Sequence, residues 1–152
     1  MSTIEEHIDV DVPVRTAYNQ WTQFEEFPRF MEGVDSVTQL TDSLTHWTIS
    51  IAGQTREFDA EITEQKPDER VAWRSLDGLG HAGVVTFHRL DDSSTRVMLQ
   101  IETHPEGLVE KAGDALGIAK HRAKGDLARF KEFIESRQTE TGAYRGEINN
   151  QV

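Results

Sequence analysis

The chain has 152 residues, a length that fits one domain able to bury its own core. It contains no cysteine, which excludes disulfides, a thiol nucleophile and a thiolate metal site. The net charge of −11 argues against nucleic acid or an anionic membrane as the main partner. The N-terminus is acidic and alternating, and no stretch approaches the roughly 18 apolar residues of a membrane span. We therefore expect a cytoplasmic protein without stable membrane insertion.

The chain opens with a predicted strand and two short helical segments. Residues 3–12 alternate between apolar and polar side chains, which predicts a half-buried strand. Residues 13–22 begin at a proline and carry apolar side chains at helical spacing, so we predict a short amphipathic helix. The following stretch, FEEFPRFM, contains Pro28 and is predicted to form only one or two helical turns. Its apolar side chains either plug one end of the core or form a gate over a cavity mouth.

The middle of the chain is predicted to be almost entirely strand. Its alternating, β-rich stretches are separated by turn sequences such as TDS, KPDER and DDSS. Because short connections join antiparallel neighbours, these strands and the first one should form a single antiparallel sheet. The six further strands are predicted at residues 34–40, 44–51, 55–65, 71–76, 84–90 and 95–103.

One long C-terminal helix is predicted over residues 108–137. Its apolar and small residues recur every three or four positions and form one stripe. Leu127, Phe130 and Ile134 fill space in the second half of the stripe, whereas the first half carries Ala112, Ala115, Ala119 and Ala123 with glycines interspersed. An interior glycine costs roughly 1 kcal/mol of helix stability relative to alanine, so the glycines in the first half of the helix require an explanation. Either it packs closely on the sheet, or it leaves a void for an apolar ligand.

These elements predict an α+β fold, with a curved seven-stranded antiparallel sheet wrapped on the long helix and two short helices after the first strand. Residues 1–137 form the single domain, and residues 138–152 form a polar C-terminal tail. The end of the tail is expected to be mobile. Tyr144 and Ile148 are unusual in a free tail, so the alternative is that it docks on the body or on a protein partner.

The sequence contains no motif whose context supports catalysis, nucleotide binding or metal binding. The sequence GLGHAG at 78–83 matches a dinucleotide-binding fingerprint, but alternating β-branched residues follow it where a helix is required. It is interpreted as a hairpin loop. The six histidines show no metal-site spacing, and no nucleophile elbow occurs. His81 and His104 lie at element ends, where a cavity mouth could lie. We expect no metal and no cofactor.

The order of elements resembles the START-like (SRPBCC) superfamily of helix-grip proteins, in particular its polyketide cyclase/dehydrase branch with the coenzyme Q-binding START-like proteins. The stretches that carry the resemblance are VPVRTAYNQW, FEEFPRFMEGV, WRSLDG followed by GVVTF, TRVMLQIETHPEG and DLARFKEFIESR. The ending ETGAYRGEI is similar to that of bacterial members. The resemblance implies a helix-grip fold with a deep apolar cavity between sheet and helix, used for lipids, isoprenoids or polyketides.

We therefore expect this chain to bind, transport or sequester a hydrophobic small molecule rather than catalyse a reaction. The alternatives are an aromatase/cyclase-type enzyme acting on a polyketide-like substrate and a protein-interaction module. No catalytic residue set can be carried over from the family. Among polar residues on inward-facing positions, Arg56 is a candidate anchor for a ligand. The residues expected to line the cavity are Phe30, Met31, Trp47, Arg56, Phe58, Trp73, Val85, Phe87, Leu99, Ala112, Ala115, Leu116 and Ala119.

Overall fold

The computed structural model of the protein describes residues 2–31, 33–51, 54–76, 82–103, 112–143 and 148–149. The elements in chain order are β1 (Ser2–Val10), α1 (Val14–Trp21), the 3-10 helix (Phe24–Arg29), β2 (Val34–Gln39), β3 (Leu44–Ile51), β4 (Gln54–Lys66), β5 (Arg70–Ser75), β6 (Ala82–Asp91), β7 (Ser94–Thr103), α2 (Ala112–Arg137) and β8 (Ile148–Asn149).

The strands form one antiparallel sheet that curls into a half-barrel around α2. Its order is β1-β7-β6-β5-β4-β3-β2, and β8 pairs with β4 outside this path. The predicted fold class, an α+β helix-grip with seven strands and a long C-terminal helix, is confirmed. Strand β6 follows the glycine-rich stretch, so the prediction that no helix begins there is also confirmed. The predicted helix residues 108–111 and loop residues 77–81 lie outside the described part of the chain.

The second half of α2 packs against one end of the sheet. Leu127, Phe130 and Ile134 recur at helical spacing and have almost no exposed surface. They pack with inward-facing strand residues such as Val85 and Val97, which are fully buried. The helix ends where Gln138 adopts a left-handed backbone conformation and its amide donates to the carbonyl of Ile134. We call this packed end of the half-barrel the closed half.

Aromatic rings seal the closed half from the side of the short helices. The ring of Phe130 lies 5.0 Å from that of Trp21 and 5.2 Å from that of Phe30. Phe27 contacts both Trp21 and Phe30, at 5.6 and 5.7 Å. Because Phe24, Phe27 and Phe30 are all buried, the FEEFPRFM stretch acts as a core plug in this structure.

The beginning of the C-terminal tail docks on α1. The side-chain amide of Asn19 donates to the carboxylate of Glu140 at 2.6 Å. Gln20 forms two hydrogen bonds with Thr141, one to the backbone amide at 2.8 Å and one to the hydroxyl at 3.0 Å. Asn19 and Gln20 are buried although they are polar, because the tail satisfies their amides. Of the two alternatives for the tail, docking on the body agrees with these contacts.

The docking of the tail should weaken in acid. Partial burial raises the pKa of the Glu140 carboxyl, but the hydrogen bonds from Asn19 and Thr139 outweigh it, so the pKa lies below the usual 4.5. The folded state therefore favours the ionised carboxylate. Its contribution is complete above about pH 4.5 and is lost as the pH falls through the lowered pKa. The readout is the exchange protection of the Thr141 amide by NMR, corrected for intrinsic exchange at each pH.

The Glu140→Gln variant is the matched control, because it removes the titrating group and keeps an acceptor oxygen. We expect its Thr141 protection to stay constant over the same pH range. If the wild-type protection were also constant while Glu140 titrates, the carboxylate would not be what holds the tail.

Candidate functional site

The concave face of the sheet is unevenly covered. In the closed half most inward-facing side chains are buried, although Ile8, opposite Val97, is partly exposed. Toward the other end of the same strands, most of the apolar side chains that face the helix side keep part of their surface exposed, whereas Ile4, opposite Ile101, is buried. We call this end the open half. Its partly exposed residues are Met31, Val34, Ile49, Phe58, Trp73 and Ile101.

The position of α2 accounts for this difference. The helix follows β7, whose last residue Thr103 lies at the open end of the sheet. The 26 residues of α2 at 1.5 Å each then carry the chain back to the closed half. The alanine- and glycine-rich first turns of α2 therefore belong to the open half, and its bulky last turns belong to the closed half.

Two pairs of neighbours orient the large aromatic rings of the open half. The indole of Trp73 crosses Gly83 on the adjacent strand, where an added Cβ would lie 2.4 Å from the ring. The rings of Trp47 and Phe58 are stacked, with centroids 6.0 Å apart. The Nε1 of Trp47 donates to the hydroxyl of Thr45 at 2.8 Å, which fixes the direction of its indole.

The structure divides the predicted cavity-lining residues into four groups. Met31, Phe58 and Trp73 are partly exposed in the open half. Trp47 and Leu99 are nearly buried at its margin. Arg56 is exposed, on the strand position opposite Ile49. The group that lies in the packed core comprises Phe30, Val85 and Phe87.

The small-residue part of the predicted site remains a prediction. The backbone of α2 is helical from Ala112, as expected. The side chains of Ala112, Ala115, Leu116 and Ala119 lie outside the described residues. The void predicted beside them is therefore part of the proposal made below.

Two charged residues of the site were missed by the sequence analysis. Glu6 shares the inward parity of Ile4 and Ile8 and lies opposite Leu99, so its carboxylate belongs to the concave face. The alternation of the first strand was sufficient to find it. Arg122 lies beside the buried stripe of α2 and donates a hydrogen bond to β3. No local pattern could have indicated that contact, because its partner is 72 residues away.

The described histidines lie away from the concave face. His46 is held on the convex face, with ring nitrogens 2.6 Å from Asp59 and 3.0 Å from Glu57. Hydrogen bonds to these two carboxylates raise the pKa of His46. His7, His88 and His121 are exposed, and His81 and His104 lie outside the described residues. Within the described ranges, no group of histidine and carboxylate side chains could hold a metal ion.

Comparison with known proteins identifies the family. Residues 10–132 match the family described as polyketide cyclase/dehydrase and lipid transport. The chain belongs to this family. A protein of Streptomyces lincolnensis, named as an uncharacterized 17.2 kDa protein in the melC2-rnhH intergenic region, is 62% identical over 149 residues. That alignment covers 97% of this chain and 99% of the relative.

Two solved structures show the family fold at low sequence identity. The Zhui aromatase/cyclase of Streptomyces sp. R1128 superposes with a TM-score of 0.77 at 14% identity, covering 94% of this chain and 99% of its own. A START superfamily protein of Mycobacterium smegmatis gives a TM-score of 0.66 at 15% identity, covering 84% of this chain and 97% of its own. The family match confirms the predicted resemblance to the polyketide cyclase/dehydrase branch, and the two structures show that the fold is shared. None of the described helices of this family member is long and apolar enough to cross a membrane.

Proposed function

We propose that this chain binds a hydrophobic small molecule, such as a lipid, an isoprenoid or a polyketide, between the open half of the sheet and the first turns of α2. The observation that carries the proposal is the partial exposure of Phe58 and Trp73 on the helix-facing side of the sheet. A ligand that covered these rings would gain about 25 cal/mol for each Å² of apolar surface removed from water. The family's description, which includes lipid transport, supports the same class of ligand.

The difference between the two halves supports binding over incomplete packing. A domain that needed only a core could continue the Leu127, Phe130 and Ile134 pattern along the whole helix. This chain instead has alanine and glycine in the first turns of α2, and in our proposal these turns face the partly exposed rings of the open half. The same arrangement suits a cytoplasmic carrier or storage protein, with the ligand shielded from water.

An aromatase/cyclase-type reaction is the second candidate. The specific observation in its favour is the Glu6 carboxylate on the concave face, since a positioned carboxylate can act as a general acid or base. Against it, the histidines that the structure describes lie elsewhere. Formation of a modified product from a bound polyketide-like chain would distinguish catalysis from binding alone.

Tryptophan emission provides a direct test of the binding site. A brominated stearate methyl ester quenches only indoles that it contacts, and Trp47 and Trp73 border the open half whereas Trp21 lies in the closed half. We expect the ester to quench the wild-type emission strongly. In the double variant Trp47→Phe, Trp73→Phe, only Trp21 remains, and its emission should be nearly unchanged.

Native mass spectrometry after mild purification complements the quenching experiment by revealing a copurified ligand and by counting bound ester molecules. Equal quenching in the wild type and the double variant would place the ester outside the open half. Absence of both quenching and bound ester would overturn the proposed function.

A further inference from the structure

A guanidinium group lies at the rim of the open half. The Nη1 of Arg122 donates to the backbone carbonyl of Ser50, near the end of β3, at 2.9 Å. The same group fills the space over Gly33, where an added Cβ would lie 2.1 Å from Nη1. Ser50 follows Ile49, and Gly33 precedes Val34, both of which belong to the open half. Arg122 therefore spans the gap between α2 and the β2–β3 edge, beside partly exposed apolar side chains.

Among the residues that the structure describes, no carboxylate forms an ion pair with Arg122. A guanidinium carries several N–H donors and keeps its charge at all physiological pH values. The bond to Ser50 uses one donor, and no residue that the structure describes accepts a hydrogen bond from the others or forms an ion pair with Arg122. The acid at the same edge, Asp35, accepts the hydroxyl of Ser50 at 2.5 Å. A partly buried cation thus lies next to an apolar surface, and within the described part of the chain only one of its donors is used.

Arg129, on the same flank of α2, has a purely structural role and serves as a comparison. Arg129 donates to the carbonyl of Phe30 at 3.0 Å and also pairs with Asp126 on its own helix. Its charge is compensated, and it ties α2 to the core plug in the closed half. Arg122 makes the same kind of backbone contact but has no carboxylate partner within the described ranges.

We propose that Arg122 binds the carboxylate of the ligand, so that the natural ligand is a long-chain carboxylic acid with its apolar part in the open half. This inference rests on the proposed function and specifies the ligand class. A carboxylate is the anion whose two oxygens match the planar N–H donors of a guanidinium. An ion pair formed at a partly buried rim is also screened less by salt than one on the open surface.

The test compares an acid with its neutral ester. Dissociation constants of cis-parinaric acid and of its methyl ester are measured by their fluorescence, at concentrations too low for micelles to form. We expect the wild type to prefer the acid. In Arg122→Gln the affinity for the acid should fall about tenfold, as loss of a charge-assisted hydrogen bond implies, and the affinity for the ester should stay nearly the same.

Two further variants separate recognition from structure. Gly33→Ala leaves Arg122 in the chain but displaces its guanidinium, so it should also weaken binding of the acid and leave binding of the ester unchanged. Arg129→Gln removes a comparable helix-to-backbone contact in the closed half, and it should leave the ratio of the two affinities unchanged.

The outcomes discriminate between the inference and the function on which it rests. If Arg122→Gln lowers the affinities for the acid and the ester equally, or changes neither affinity, then Arg122 only caps the Ser50 carbonyl. The inference is then wrong, while the binding function stands. If the wild type binds neither probe, the proposed function and the inference both fail.

Discussion

Replacing Phe130 with alanine should lower the free energy of unfolding by about 3–5 kcal/mol, the usual cost of deleting a buried aromatic ring from a packed core. Phe130 has no exposed surface, and its ring lies edge-on to those of Trp21 and Phe30. Removal of the ring leaves a cavity among rigid aromatic neighbours, which have little freedom to collapse into it. The measurement is equilibrium unfolding in urea, followed by tryptophan emission and circular dichroism.

Phe133 provides the matched control on the same helix. Its ring is only partly buried, and Arg29 and Arg137 lie over it at 5.2 and 5.6 Å. Phe133→Ala should therefore cost clearly less than Phe130→Ala, since it loses only partial burial, one ring contact with Phe30 at 5.5 Å and weak cation–π contacts. Equal losses in the two variants would mean that the closed half is not the packed core of the domain.

Gly83→Ala should destabilise the domain by about 1–3 kcal/mol and disturb the proposed ligand site at the same time. The added Cβ would lie 2.4 Å from Cζ2 of the Trp73 indole, closer than two carbon atoms can approach. Either the strands shift or the indole turns away from β6 into the open half. In both cases the affinity for a hydrophobic probe should fall, and urea unfolding and probe titration measure the two effects.

A double-mutant cycle attributes this effect to the indole. In the Trp73→Ala background the space over residue 83 is empty, so Gly83→Ala should cost little, and alanine even restricts the unfolded chain more than glycine does. If Gly83→Ala were equally costly with and without Trp73, the cause would be the backbone of β6 rather than the ring.

Local patterns in the sequence were sufficient for the elements and their order. Period-two alternation, or β-rich composition in the case of β2, predicted the seven strands of the half-barrel, and helical spacing predicted α1 and α2. Pro28 correctly limited the FEEFPRFM stretch to a short turn, which is a 3-10 helix in the structure. Strand β8 was not predicted, because two residues form a strand only when a neighbouring strand is available to pair with them.

The candidate site was predicted less completely than the fold. The alternation of side chains along the strands correctly assigned Phe58 and Trp73 to the concave face. It could not distinguish these partly exposed rings from Val85 or Phe87, which also face inward but are buried in the core. Exposure depends on which part of α2 lies opposite each strand position. That relation exists only after the helix has packed on the sheet.

The sequence alone therefore determined the helix-grip architecture, because alternation and helical spacing are properties of neighbouring residues along the chain. Only the tertiary structure decided which half of the concave face stays open, that Trp73 needs a glycine beside it, and that Arg122 reaches the carbonyl of Ser50. It also decided that Asn19 and Gln20 form hydrogen bonds with tail residues that lie 121 positions later in the sequence. These contacts join side chains that are distant in sequence, and their formation depends on chain geometry that no local pattern encodes.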